Sequence, residues 1–245
     1  MRRLYTENID AARGKASVTG AEFDHLRVLR LRTGDTLLIF DGSGTEHEAR
    51  IDACTDRAAE LSIIRSYRPQ RESLLQLTLA QCLGKGEKMD WVVEKAVELG
   101  AQKIVPLLSA YTVPRLDSDK MAKRKSRWEK IALSAAKQCG RTAVPEIAPV
   151  ASFFDFIDLP WPQELKFMFW ENESSRGPFE IKRDLPEARS ALLLIGPEGG
   201  FAAREVQAAV GRGFRTVRLG KRILRTETAA VAALAIVQSL WGDMG

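Results

Sequence analysis

The residues best placed to do chemistry lie in two short segments, each a buried strand that runs through glycine into a helix. In the first, Leu192-Leu193-Leu194-Ile195 leads into Gly196-Pro197-Glu198-Gly199-Gly200-Phe201, with three glycines within five residues. Glycine lets the backbone take positive φ and come close to a ligand, and the carboxyl end of a strand is where open α/β sheets bind ligands. The second segment, Val217-Arg218-Leu219-Gly220-Lys221-Arg222-Ile223-Leu224-Arg225, repeats the design and enters a helix that Thr226 is expected to cap. Leu219, Ile223 and Leu224 offer an apolar wall, and Arg225 stands at the helix entrance. The plain alternatives are a tight turn in which Glu198 accepts backbone N–H bonds, and a surface pair of Glu227 with Arg225 or Arg222.

Familiar catalytic patterns are missing. Gly84-Lys85-Gly86 lacks both the first glycine and the Ser or Thr of a P-loop, and Gly196-Pro197-Glu198-Gly199-Gly200 is not the dinucleotide fingerprint. His25 and His47 are the only histidines and have no metal-like spacing, so structural roles are expected and no metal is called for. No serine or cysteine sits in a nucleophile elbow. The chemistry indicated is that of a ligand cradled by backbone loops.

The chain of 245 residues carries a net charge of +5, unevenly distributed. Between Arg204 and Arg225 there are seven basic residues and one acid, a larger excess than the whole chain carries. A second cluster holds Lys120, Lys123, Arg124, Lys125, Arg127 and Lys130, and a third holds Arg2, Arg3, Arg13, Lys15, Arg27, Arg30 and Arg32. Such local concentration suits a polyanion, because affinity for nucleic acid comes largely from phosphate neutralisation. The plain reading of residues 120–130 is a solvated helix face. Hydrophobic residues make up 45% of the chain, which excludes wholesale disorder. No apolar run approaches the ~20 residues of a membrane span, and no apolar stretch follows Arg2-Arg3 as a secretory signal would require. Cys54, Cys82 and Cys139 are odd in number and far apart, as expected of reduced thiols in a cytoplasm.

The elements that position the loops follow from periodicity. Residues 1–70 are β-rich: strands are expected at Thr36–Phe40, Glu46–Ile51 and Ala59–Ile64, with a short helix over Glu22–Arg30, together suggesting a small barrel. The polar Tyr67–Glu72 stretch marks a boundary, so the domains are expected at 1–70 and 71–245. Beyond it strands and helices alternate. Strand-like runs at Leu75–Leu79, Ile104–Leu108, Leu165–Trp170, Ala191–Ile195 and Phe214–Leu219 are interleaved with helices at Met89–Leu99, from Asp117 or Ser118 to Gly140, at Ala202–Val210 and at Thr226–Trp241. This is the pattern of an α/β domain with a parallel sheet. The last helix is apolar on nearly every side from Thr228 to Leu240, so it needs cover on every side, and a homodimer would supply it.

Taken together, the two loops closely resemble those of the SPOUT methyltransferases, and within them the RsmE family, ribosomal RNA small-subunit methyltransferase E. The resembling residues are Leu194-Ile195-Gly196-Pro197-Glu198-Gly199-Gly200-Phe201 and Leu219-Gly220-Lys221-Arg222-Ile223-Leu224-Arg225-Thr226-Glu227-Thr228-Ala229. The likeness spans the chain: Arg2-Arg3-Leu4-Tyr5 and His25–Arg30 are similar to the family's N-terminal PUA-like RNA-binding barrel, and Trp91–Gly100 and Lys137–Arg141 to its middle. The resemblance implies a SPOUT-type parallel sheet with a C-terminal trefoil knot, which no periodicity reveals and general topology rules disfavour. It implies a homodimer, S-adenosylmethionine as cofactor, and methylation of N3 of a uridine in the 16S rRNA of the small ribosomal subunit. It places Leu194, Ile195, Gly196, Pro197, Glu198, Gly199, Gly200, Leu219, Gly220, Ile223, Leu224, Arg225, Thr228 and Ala229 around that cofactor.

For that reaction Arg225 is the expected stabiliser of the uracil anion, with Glu198 and Glu227 as proton acceptor or as holders of Arg225. Arg2, Arg3, Arg27, Arg30, Lys123, Arg124 and Lys125 are expected to bind RNA. The competing readings are a non-catalytic RNA-binding protein and a SPOUT ribose 2′-O-methyltransferase.

Overall fold

A computed structural model describes residues 2–112 and 118–245, with Ser118 described by its backbone alone. The contacts divide the chain into two compact units, residues 1–72 with 136–144, and residues 73–135 with 145–245.

In the first unit, β1 (Arg3–Tyr5), β2 (Ile9–Asp10), β3 (Lys15–Thr19), β4 (Thr36–Phe40), β5 (Glu46–Cys54) and β6 (Ala58–Tyr67) form one sheet in the order β1-β4-β5-β6-β3-β2. Only β1 and β4 run parallel; the other pairs are antiparallel. The sheet curls on itself, since the Thr6 hydroxyl at the end of β1 donates to Ser17 O of β3 at 2.6 Å. Alternate side chains, among them Leu4, Val18, Leu37, Ile39, Ile51 and Leu61, fill the interior. Helix α1 (Gly20–Val28) adds Phe23 and Leu26 to that interior. His47 is buried and its Nδ1 lies 2.7 Å from Ser66 Oγ; desolvation lowers its pKa against the opposing pull of Asp41, so it is a satisfied structural residue.

Residues 136–144 belong to this unit, which nothing in their composition announced, and Arg3 binds them in. Its guanidinium meets Glu46 Oε1 at 2.5 Å, Ala136 O at 3.0 Å and Arg141 O at 2.6 Å, and lies over the Phe40 ring at 4.0 Å. Arg141 in turn reaches Glu72 Oε2 at 2.7 Å, and the other Glu72 oxygen accepts the Thr142 and Ala143 N–H groups.

In the second unit, β7 (Gln76–Cys82), β8 (Lys103–Leu108), β9 (Glu146–Ile147), β10 (Ala151–Ser152), β11 (Leu165–Phe169), β12 (Ser190–Ile195) and β13 (Arg215–Val217) form a sheet in the order β10-β8-β7-β12-β11-β13, with β9 beside β8. Every pairing is parallel. Both faces are covered, which is why the strands read as unbroken apolar runs. Ala80, Cys82, Met168, Leu192 and Leu194 pack on one face with Phe153 and Phe156 of α4 (Phe153–Asp158) and Val206 and Ala209 of α6 (Ala203–Gly211). Helices α2 (Lys88–Glu98), α5 (Pro178–Asp184) and α7 (Thr226–Trp241) pack together, with α7 against β7 and β12.

Helix α3 (Ser118–Cys139) starts at one of the two residues expected to cap it; the other, Asp117, lies outside the described residues. Helix α7 buries Ala230, Ala233, Leu234 and Val237, whereas Val231, Ala232, Ala235 and Ile236 are only partly covered. Within one chain it is therefore not buried all round, as its composition suggested.

Candidate active site

Because β7, β12, β11 and β13 are parallel neighbours, their carboxyl ends open on one edge of the sheet. Three of the loops leaving them enclose a cavity of about 490 Å³: Phe169–Glu171 after β11, Ile195–Gly200 after β12, and Val217–Thr226 after β13, with Ala229 of the following helix. That volume lies in the ~300–1,000 Å³ range of small-molecule clefts.

Most of the expected cofactor residues meet on this wall: Ile195, Gly196, Pro197, Glu198, Gly199, Gly200, Leu219, Gly220, Ile223, Leu224, Arg225 and Ala229. Leu194 and Thr228 do not. Leu194 is fully buried inside the strand, and Thr228 is exposed one turn along α7. The wall formed by Phe169, Trp170 and Glu171 was missed, since no motif marks that loop; the only available signal was that its strand also runs parallel to β12. Glu173 shapes this loop. Its carboxyl accepts from the Ser175 and Thr216 hydroxyls at 2.6 and 2.5 Å, and those bonds outweigh partial desolvation to hold its pKa at about 2.

The glycines meet different constraints. A Cβ on Gly196 would lie 3.0 Å from the Phe201 ring, and one on Gly199 would lie 2.9 Å from Tyr111 Cβ. Gly200 has φ +70°, which calls for glycine, and it stands against the exposed Glu171 carboxylate. Tyr111 is held in place because buried Glu205 accepts both Ala110 N–H (2.8 Å) and Ala202 N–H (2.9 Å).

Thr226 does not cap α7. Arg225 occupies the N-cap position, and the Thr226 hydroxyl, buried, donates instead to Gly196 O at 2.5 Å while accepting from Gln81 Nε2 at 2.9 Å. Strand β7, the glycine loop and the second loop are thereby tied together.

Neither surface pair of Glu227 with Arg225 or Arg222 forms. Lys88, at the start of α2, takes both carboxylates: its Nζ lies 2.9 Å from Glu198 Oε1 and 3.3 Å from Glu227 Oε2. Glu198 Oε1 also accepts the Lys85 N–H at 3.0 Å. Burial opposes the ionisation of Glu198, but Lys88 and the backbone N–H groups overcome it and hold the carboxyl below its ordinary value. The Lys88 ammonium is held above its ordinary value, chiefly by Glu198. Arg225 is left exposed on the cavity wall with no side-chain partner among the described residues.

The residues expected to bind RNA separate into groups. Arg2, Arg27 and Arg30 are exposed and make no ion pair among the described residues. Arg3 is withdrawn: its side chain is only 10% exposed and fully engaged within the first unit. Along α3, Lys123 is exposed and Arg124 partly buried, while Lys125 pairs with Glu129. Arg127 of the same cluster reaches Asp90 and Glu87 at 2.5 and 2.8 Å, so part of that cluster is already paired within the protein. Among the described residues no group of three or more His, Cys, Asp or Glu side chains could hold a metal ion, and no helix is long and apolar enough to cross a membrane.

The chain matches the family model of an RNA methyltransferase domain over residues 71–238, and a second model, the RNA methyltransferase PUA domain, aligns with residues 18–64. Ribosomal RNA small subunit methyltransferase E of Bacillus subtilis (strain 168) is 33% identical over 90% of this chain and 88% of its own. The Buchnera aphidicola subsp. Schizaphis graminum protein of that name is 35% identical over 89% and 87%. The chain belongs to the ribosomal RNA small subunit methyltransferase E family. The Neisseria gonorrhoeae methyltransferase E, solved bound to S-adenosyl methionine, superposes with a TM-score of 0.91 at 34% identity over 100% of both chains. A Legionella pneumophila methyltransferase in complex with the bound cofactor SAM gives 0.89 at 33% over 98% of both.

Proposed function

We propose that this protein uses S-adenosylmethionine to methylate N3 of a uridine in 16S rRNA of the small ribosomal subunit. The observation that carries the reading is the three-loop cavity with an unpaired Arg225 on its wall. The residues present fit the cofactor. The glycine loop offers backbone groups that no Cβ screens, Ile195, Leu219 and Leu224 are apolar, and Trp170 Nε1 is buried on the same wall with no hydrogen-bond partner among the described residues. Backbone groups of Gly196–Gly200, with Leu219, Gly220 and Ile223–Arg225, would hold it.

When bound, the cofactor supplies a methyl group already activated on a sulfonium. The protein then has to align the acceptor and exclude water. Uracil N3 lies in the Watson–Crick edge, so the base must be unpaired or flipped to reach the cavity. Once N3 loses its proton, negative charge spreads over the ring carbonyl oxygens, and a fixed guanidinium at Arg225 stabilises it. Glu198 and Glu227, both bound by Lys88, serve as positioning residues that fix the glycine loop and the first turn of α7 relative to α2.

The first unit, with exposed Arg2, Arg27 and Arg30, is the part we assign to RNA phosphates, and residues 1–70 and 71–245 to the RNA-binding and catalytic domains. A homodimer is supported by the half-covered apolar face of α7 at Val231, Ala232, Ala235 and Ile236. A trefoil knot is supported by strand order: the chain passes from β11 to β12, returns to the far side of β11 as β13, and re-enters beside β7 and β12 as α7. The substrate places the enzyme in the cytoplasm. Transfer of label from methyl-tritiated S-adenosylmethionine to small-subunit rRNA tests the reading; binding of RNA without transfer would identify a non-catalytic RNA-binding protein instead.

A further inference from the structure

Resting on that reaction, we infer that Glu171 is the group that accepts the N3 proton. The proton must leave before or as N3 attacks, and a carboxylate can receive it only if its oxygens are free and face the acceptor. Four carboxylates lie at the loops, of which Glu173 is taken up by the Ser175 and Thr216 hydroxyls. Glu198 accepts Lys85 N–H and Lys88 at 3.0 and 2.9 Å and is held below its ordinary value, which makes it a poor base. Glu227 lies 3.3 Å from the same ammonium and is not on the cavity wall. Glu171 is on the wall, exposed, and has no ion pair or hydrogen bond among the described residues.

Its position suits the task. Glu171 stands directly against Gly200, in the loop that holds the methyl donor, and a side chain on residue 200 would displace it. Trp170 beside it is packed against the core under the sheet edge, and the Glu173 bonds to Ser175 and Thr216 fix the loop on its other side. The other charged groups on the cavity wall are Glu198 and the cations Arg218, Lys221, Arg222 and Arg225. Glu171 and Arg225 therefore divide the chemistry. The N3–H bond breaks and the proton passes to a Glu171 oxygen. The electron pair left on N3 forms the new N–CH3 bond, and the S–CH3 bond breaks with its pair going to sulfur. Arg225 bears the charge that develops on the uracil oxygens.

The test is Glu171→Gln in the full-length protein, with Glu171→Asp as the conservative variant and small-subunit rRNA as substrate. Glu171→Gln should bind S-adenosylmethionine within a few-fold of wild type by calorimetry, while kcat falls roughly 10²–10⁴-fold, the range of a lost general base. Glu171→Asp should recover part of the rate. On rRNA that carries 5-fluorouridine, whose N3 is more acidic, the deficit of Glu171→Gln should shrink at least about tenfold, since less help is needed from the base. A deficit equal on both RNAs, an unchanged kcat, or a loss of cofactor affinity that saturating cofactor repairs would each overturn the assignment. Wild-type protein is assayed alongside: failure to form 3-methyluridine there would refute the proposed reaction itself, and not merely the role of Glu171.

Discussion

Arginines at two places, one in each unit, are treated in opposite ways. In the first, Arg3 and Arg141 are drawn inside, and their guanidinium groups satisfy Glu46, Glu72 and the carbonyls of residues 136–141. In the second, Arg225 is held at a helix entrance and given no partner. A guanidinium with every donor engaged is part of the architecture; one on a cavity wall with its donors free is available to a substrate. Basic clusters of similar density in the sequence thus have different meanings, and the difference lies in what surrounds each side chain.

The contrast can be broken by experiment. Arg3→Ala should be the most damaging change to folding. It leaves Glu46, fully buried, without its closest cation, and removing one partner of a buried pair typically costs about 3–5 kcal/mol. Hydrogen exchange should localise the loss to residues 1–72 and 136–144, with cofactor affinity kept within a few-fold; a variant as stable as wild type would refute the structural role. Arg225→Ala should do the reverse. Methyl transfer should fall ~10²–10³-fold, the size of a lost oxyanion donor, while the melting temperature and cofactor affinity stay close to wild type. Near-normal turnover would remove Arg225 from the mechanism.

Lys88→Met sharpens the same distinction at an internal pair. Glu198 is held below its ordinary value, so its contribution is complete above the ordinary glutamate range, near pH ~4.3, and is lost as pH falls through the lowered value. Without the ammonium, burial opposes ionisation with only backbone N–H groups against it, so the loss should move to higher pH. Cofactor affinity followed between about pH 4 and pH 8 should show its acid-side decline shifted toward neutrality; an unshifted curve would mean that Lys88 does not hold the loop. The smallest effect belongs to Arg27 and Arg30. Replacing both with Gln should weaken RNA binding and flatten its salt dependence by ~1 per residue, while turnover at saturating RNA is unchanged. A salt slope identical to wild type would leave these arginines outside the interface.

Much of this was legible in the sequence because it is carried by local signals. The period of Met89, Val92, Val93 and Ala96 reflects a helix burying one face, the apolar runs at Leu165 and Ala191 reflect strands covered on both, and the glycines mark the turns that follow; the structure places those elements within a residue or two of expectation. What stayed hidden depends on contacts distant in the chain. Nothing near Arg3 indicates that it meets carbonyls more than 130 residues away. Nothing near Thr226 shows that its hydroxyl will find Gly196 O instead of capping its own helix. The third wall of the cavity carries no motif, because Trp170 and Glu171 acquire their place only when β11 pairs with β12 and β13. Lys88 was invisible for the same reason: its two carboxylates come from the glycine loop and the first turn of α7, both more than 100 residues away.

The central claim is that the cavity transfers a methyl group to uracil N3. Its most direct test is nucleoside mass spectrometry of small-subunit rRNA after incubation with the purified protein and S-adenosylmethionine. The account predicts stoichiometric 3-methyluridine at a single position, formed far more slowly by Arg225→Ala. A ribose 2′-O-methylated nucleoside in its place, or no added methyl group, would contradict it.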